Sequence, residues 1–141
     1  MKVDQGVWEE ARGLARRMQE VTRAIAEKVE RRDIEPLLSL LGERQEICER
    51  LDELRREHGI ASWVVESSDG ELPESIHEAS REIAGIFRSL LEEDEKIRRM
   101  MEEAMAAVRD DLIQVKMANE ARRLYEGGAL PLRGAFVDSR R

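Results

Sequence analysis

Apolar residues recur through the first thirty positions at Val7, Ala11, Leu14, Met18, Val21, Ile25 and Val29, in steps of 4, 3, 4, 3, 4 and 4. A seam held over so many turns predicts a long helix over about residues 4–31 with coiled-coil-like packing. Arg16, Arg17, Glu20, Arg23 and Glu27 then fall on its solvated faces. Asp33 is a good N-cap for a second helix, with Pro36 tolerated in the first turn. That helix runs to about Glu57 and turns Leu37, Leu41, Cys48, Leu51 and Leu54 inward, with Gly59 in the usual C-terminal capping place. Only Arg31–Asp33 separate the two, so they should form a tight antiparallel hairpin.

Residues 58–73 contain Ser-Ser-Asp-Gly and a proline and read as a loop. Within it, Trp63, Val64 and Val65 make an apolar island, and the expectation is that Trp63 caps one end of a bundle rather than standing exposed. Ser75-Ile-His-Glu78 has the pattern of a capping box. A third helix follows through Ile83, Phe87, Leu90, Ile97, Met101, Met105, Val108, Leu112 and Val115, reaching Tyr125 before Gly127-Gly128 ends it. Asp94 and Asp111 interrupt the stripe, the mark of a kink or a polar layer.

The lengths do not match. Helices 1 and 2 span roughly 40 Å each, whereas an unbroken third helix of about 50 residues reaches roughly 75 Å at 1.5 Å per residue. One hairpin cannot cover all of that stripe, so a symmetry mate, a folded-back segment or a bound protein must cover the rest. Met100, Met101, Met105 and Met117 lie in this second half, and methionine suits both ordinary cores and surfaces that adapt to varied partners. Beyond it, Leu130, Leu132, Phe136 and Val137 sit among Gly, Pro and Arg. A terminus is mobile by default, yet these apolar residues exceed what a solvating tail needs and suggest a short docking motif.

Composition agrees with this picture. The 141 residues fit one domain, and 39% charged with 41% hydrophobic but 4% aromatic residues suits long amphipathic helices. A net charge of -7 argues against a nucleic-acid binder, which gathers Lys and Arg on one face. Cys48 is the single cysteine, so no intramolecular disulfide forms. The N-terminal stretch carries acids where a signal peptide needs an apolar core, and no run approaches the roughly 18 apolar residues of a membrane span. The expectation is a cytoplasmic protein without membrane insertion.

The residues that carry chemistry are sparse. Glu74 and His77 have the spacing of a di-iron ligand pair, but such sites need that pair twice plus two further carboxylates. Glu92, Glu93, Asp94 and Glu95 mostly face water and pair with Lys96, Arg98 and Arg99 along the helix. Cys48 lies on an apolar stripe, where a thiol acts as a small hydrophobe. There is no phosphate-binding glycine loop, nucleophile elbow or CxxC. No catalytic residue, metal or cofactor is expected. The stretch Ile34 to Ile47 resembles a Leu-Leu…Glu-Arg turn of helical chorismate mutases, but helix 1 lacks the inward cations that a dicarboxylate substrate requires.

Leu37-Leu-Ser-Leu-Leu-Gly-Glu-Arg-Gln-Glu-Ile-Cys-Glu-Arg-Leu51 resembles the second helix of FliT-type and FlgN-type flagellar export chaperones. Ile83 to Ile97 is similar to their third helix, with an Asp in mid-stripe, and the ending from Tyr125 through Phe136-Val-Asp-Ser-Arg-Arg141 looks like their C-terminal close. The resemblance implies a cytosolic, helical, non-enzymatic chaperone. It would bind the C-terminal helix of a filament-cap or hook-filament-junction protein, prevent premature assembly and deliver it to export-gate or ATPase components.

The expected fold is therefore all-α: an antiparallel bundle of three long helices over residues 1–126, with room for a short fourth segment in a flexible tail over 127–141. The expected client surface comprises Phe87, Leu90, Ile97, Met101, Met105, Val108 and Leu112. Tyr125, Phe136 and Val137 are the expected docking residues for the export gate. A non-catalytic homodimer with an adaptor role is the alternative, and a mutase-like enzyme a remote third.

Overall fold

A computed structural model describes residues 5–66 and 70–128. Three helices follow one another: α1 (Gln5–Glu30), α2 (Leu37–Glu57) and α3 (Glu74–Gly128). The chain divides into two compact units, Met1–Met101 and Glu102–Arg141.

In the first unit α1 and α2 form the expected antiparallel hairpin. Arg17 of α1 donates to Glu43 of α2 at 2.7 Å, while Glu10 accepts from Arg50 at 3.0 Å, so the two partners run in opposite directions along the pair. The join is longer than Arg31–Asp33, because Asp33 closes α1 instead of opening α2. Arg32 takes a left-handed φ of 58° and donates to Val29, and the Asp33 amide donates to the Lys28 carbonyl at 2.9 Å. This is a Schellman ending, in which the turn itself satisfies the last carbonyls. Pro36 then precedes α2, with no side-chain cap. Gly59 ends α2 in the same way at φ 64°, and Ile60 donates back to the Arg55 carbonyl.

α1 buries more than one seam. Trp8, Ala15 and Thr22 add a column beside Ala11, Met18, Val21 and Ile25, giving a buried arc about 140° wide. The reason is that α1 faces two neighbours. Arg12 and Arg16 both reach Glu82 of α3, Arg16 at 2.8 Å, on the side away from the α2 pairs. Ala11 and Ala15 are fully buried, and their small side chains let the helices approach closely. On α2 the inward set is Leu37, Ile47, Leu51 and Leu54, with Leu40 and Cys48 half-buried against it. Leu41 points outward instead, because the buried face turns through Ile47, a position beside the expected line.

The connection between α2 and α3 is part of the core. Trp63 is buried and meets Trp8 edge-on, ring centroids 5.0 Å apart at 88°. The Ser80 hydroxyl of α3 donates to the Trp63 carbonyl at 2.9 Å and accepts from the Val65 amide at 2.8 Å, pinning the loop across the start of α1. α3 begins two residues earlier than a Ser75 cap would allow. The Pro73 carbonyl accepts from Ile76 and His77, which places Ser75 inside the first turn. With its start beside Trp8 and Arg12, α3 runs antiparallel to α2, and the unit is an up-down-up bundle.

Candidate functional site

Apolar residues recur along α3 past the point where burial stops. In the first unit the apolar line of α3 runs through Ile83, Leu90 and Ile97; in the second, at about 100° per residue, Met105, Val108, Leu112 and Val115 lie within roughly 40° of a line of their own. Ile76, Ala79, Ile83, Ile86, Leu90 and Ile97 are buried in the core of the first unit, and Met100 is half-buried against it. That buried stretch matches in length the 26 residues of α1.

The expected client residues therefore separate. Leu90 and Ile97 are core residues at 5% and 7% exposure, and Phe87 is half-buried against the same cluster. Met101 is 41% exposed, while Met105, Val108 and Leu112 are more than half exposed. Tyr125 is exposed. Phe136 and Val137 lie outside the described residues.

Further exposed apolar residues lie outside the expected client surface. Ile34, Leu38 and Leu41 lie outward at the start of α2, and their spacing of four and three was the available signal. Leu91 is exposed beside the core position Leu90. In the second unit Ile113, Met117 and Leu124 are exposed on a line separate from Met105 and Leu112.

Asp94, the interruption in the stripe, is a polar layer. Arg44 of α2 grips it with two guanidinium N–H groups, each at 2.7 Å from a carboxylate oxygen. This fork raises the Arg44 pKa, against the opposing effect of partial burial. Glu95 pairs with Arg98 and Arg99 along the surface, and its carboxyl is held below the usual range mainly by the Arg98 hydrogen bond. The Arg16 hydrogen bond likewise lowers the Glu82 carboxyl, with Arg12 adding a smaller pull.

Burial raises the Cys48 thiol, more than nearby Arg44 lowers it, so the protonated form dominates near neutrality and the side chain serves as packing. His77 is buried in the first turns of α3. Among the described residues no three His, Cys, Asp or Glu side chains gather as a metal would require. None of the described helices is long and apolar enough to cross a membrane.

The described residues thus define an all-α bundle protein whose third helix carries apolar surface beyond its own core. The family described as flagellar protein FliT matches residues 12–127. The chain belongs to that family, which is one of flagellar export chaperones and not of enzymes. No curated protein and no solved structure matches the chain.

Proposed function

We propose that this chain is a cytosolic export chaperone that holds the C-terminal helix of a filament-cap or hook-filament-junction protein and prevents its premature assembly. Family membership supports the class. The observation that carries the binding claim is the line Met105, Val108, Leu112 and Val115 of the second unit, all of them exposed among the described residues. An amphipathic client helix would lay its apolar face on that line. Leu90 and Ile97 then serve the bundle, and Tyr125, Phe136 and Val137 are assigned to delivery at the export gate.

A pull-down of cap and junction proteins by the purified chain tests the reading. Met105→Asp and Leu112→Asp should each abolish capture while the melting temperature stays within a few degrees, since neither side chain is buried. Capture that survives both substitutions refutes the client line. A dimer that is tight at micromolar concentration and undisturbed by clients would give the line to a second copy instead.

A further inference from the structure

The chain carries six methionines and one cysteine, and these sulfurs differ sharply in exposure. Met18 is a core residue at 5% exposure, and Met100 is half-buried. Met101 is 41% exposed, Met105 62% and Met117 64%. Met1 lies outside the described residues. Cys48 is half-buried, and burial raises its thiol, so little thiolate is present to react. The sulfurs most open to an oxidant, among the described residues, are therefore thioethers.

Met105 and Met117 are equally open but differ in their place on the helix. Met105 stands on the line of Val108, Leu112 and Val115. Met117 lies about 120° around the helix from Met105, off that line. What methionine brings to a contact surface is a flexible apolar side chain, and a two-electron oxidation takes that character away.

The step is oxygen-atom transfer from hydrogen peroxide. A lone pair on Sδ forms the S–O bond as the O–O bond breaks, so the sulfur is oxidised by two electrons and the peroxide is reduced to water. The product, methionine sulfoxide, is polar and chiral. Its oxygen accepts hydrogen bonds from water, and covering it with apolar side chains removes those bonds without replacing them. A reductase that draws two electrons from a dithiol reverses the step: the oxygen leaves as water and the dithiol becomes a disulfide.

We infer that Met105 is a redox switch in the client line: its thioether admits the client helix, and the sulfoxide formed by hydrogen peroxide excludes it. This rests on the client reading of Met105, Val108, Leu112 and Val115. Met105 is exposed, so its oxidation leaves the bundle folded, whereas oxidation of Met18 would place a polar oxygen in the core. Met117 is the built-in reference, since it is as open to peroxide as Met105 but stands away from the client.

The test uses the full-length chain in a Met101→Leu background, which removes the partly exposed thioether four residues before Met105, and the cap or junction protein that the pull-down captures. The chain alone is treated with hydrogen peroxide, and the peroxide is removed before the labelled client is added. Peptide mass spectrometry quantifies each sulfoxide, and fluorescence anisotropy reads client affinity. Met105 and Met117 should oxidise well before Met18. Binding should then weaken by about tenfold or more with unchanged circular dichroism, and methionine sulfoxide reductase with a dithiol should restore it. Met105→Leu should bind equally before and after peroxide, Met117→Leu should stay sensitive, and Met105→Gln should bind weakly without peroxide. Binding that survives complete oxidation of Met105, or a Met105→Leu chain that peroxide still disables, would overturn the switch and leave the client line standing. A chain that captures no client before treatment would overturn the client line and the switch with it.

Discussion

Residues 74–101 and 102–128 belong to one helix and carry apolar residues at similar spacing, yet they are stabilised differently. In the first stretch the line through Ile83, Leu90 and Ile97 is buried against α1 and α2, and Glu82 and Asp94 are tied to arginines of those helices. In the second, the line of Met105, Val108, Leu112 and Val115 is exposed. Apolar periodicity specifies which side of a helix is to be covered, but not what covers it. Here α1 and α2 supply the cover for about 25 residues of α3, and the apolar residues of the second unit stand exposed among the described residues.

The largest test of this contrast is a pair of truncations at equivalent register. Ile83→Ala opens a cavity at a fully buried site and should cost about 2–5 kcal/mol of unfolding free energy. Leu112→Ala removes a side chain that is already 64% exposed and should change stability by less than about 0.5 kcal/mol. Urea denaturation of both variants measures the difference. Similar losses would mean that Leu112 is covered in the protein as it exists in solution, and would end the comparison. Amide exchange should follow the same division, with protection at Ile83 and Leu90 exceeding that at Leu112 and Met117.

Much of this was legible in the sequence, for definite reasons. The regular steps of α1 and α2 named most of the buried side chains, and the length excess of α3 located where its exposure begins, near Met100. Trp63 was read as a cap on the bundle because a large apolar residue in a polar loop has few other uses, and its packing on Trp8 agrees. What escaped was set by tertiary contact. Trp8, Ala15 and Thr22 are buried because α1 touches two helices, which a single-seam reading cannot register. Ile47 replaced Leu41 because the rotation of α2 about its axis depends on how it meets α3. Asp33 and Ser75 had the right residue type for N-caps, but a Schellman turn and Pro73 fix the local boundaries more strongly. Ile113 and Leu124 fall outside the single apolar stripe of α3 because one line of positions does not register a second set on another side of the same helix.

A smaller effect concerns the polar layer that interrupts the buried line. Asp94→Asn keeps the shape but removes the charge that the Arg44 fork grips, and should cost on the order of 1 kcal/mol because the pair is only partly buried. Arg44→Met in the Asp94→Asn background should recover part of that loss, since methionine replaces an unpaired guanidinium with apolar contact. A double-mutant cycle by urea denaturation reads the coupling. A coupling of zero would reduce Asp94 to a surface acid, and the first half of α3 would then be fastened by apolar packing alone.

The smallest effect is a pH dependence at Glu82, which ties the first half of α3 to α1. Its carboxyl is held below the ordinary value of 4.5, chiefly by the Arg16 hydrogen bond. A carboxyl with a depressed folded-state pKa stabilises the fold at pH above the unfolded value, and that contribution disappears as pH falls through the folded value. Glu82 is about one third exposed and Arg16 more than half, so solvent and salt screen the pair and its contribution is about 0.2–1 kcal/mol. Wild type should exceed Glu82→Gln by that amount at pH 7, and the two should converge at acid pH, once pH has fallen through the lowered folded-state value. Denaturation curves at both pH values, repeated at high salt, decide the matter. A gap that persists in acid would be a packing effect of the substitution, and the Arg16–Glu82 pair would then contribute nothing to the fastening that distinguishes the first half of α3 from the second.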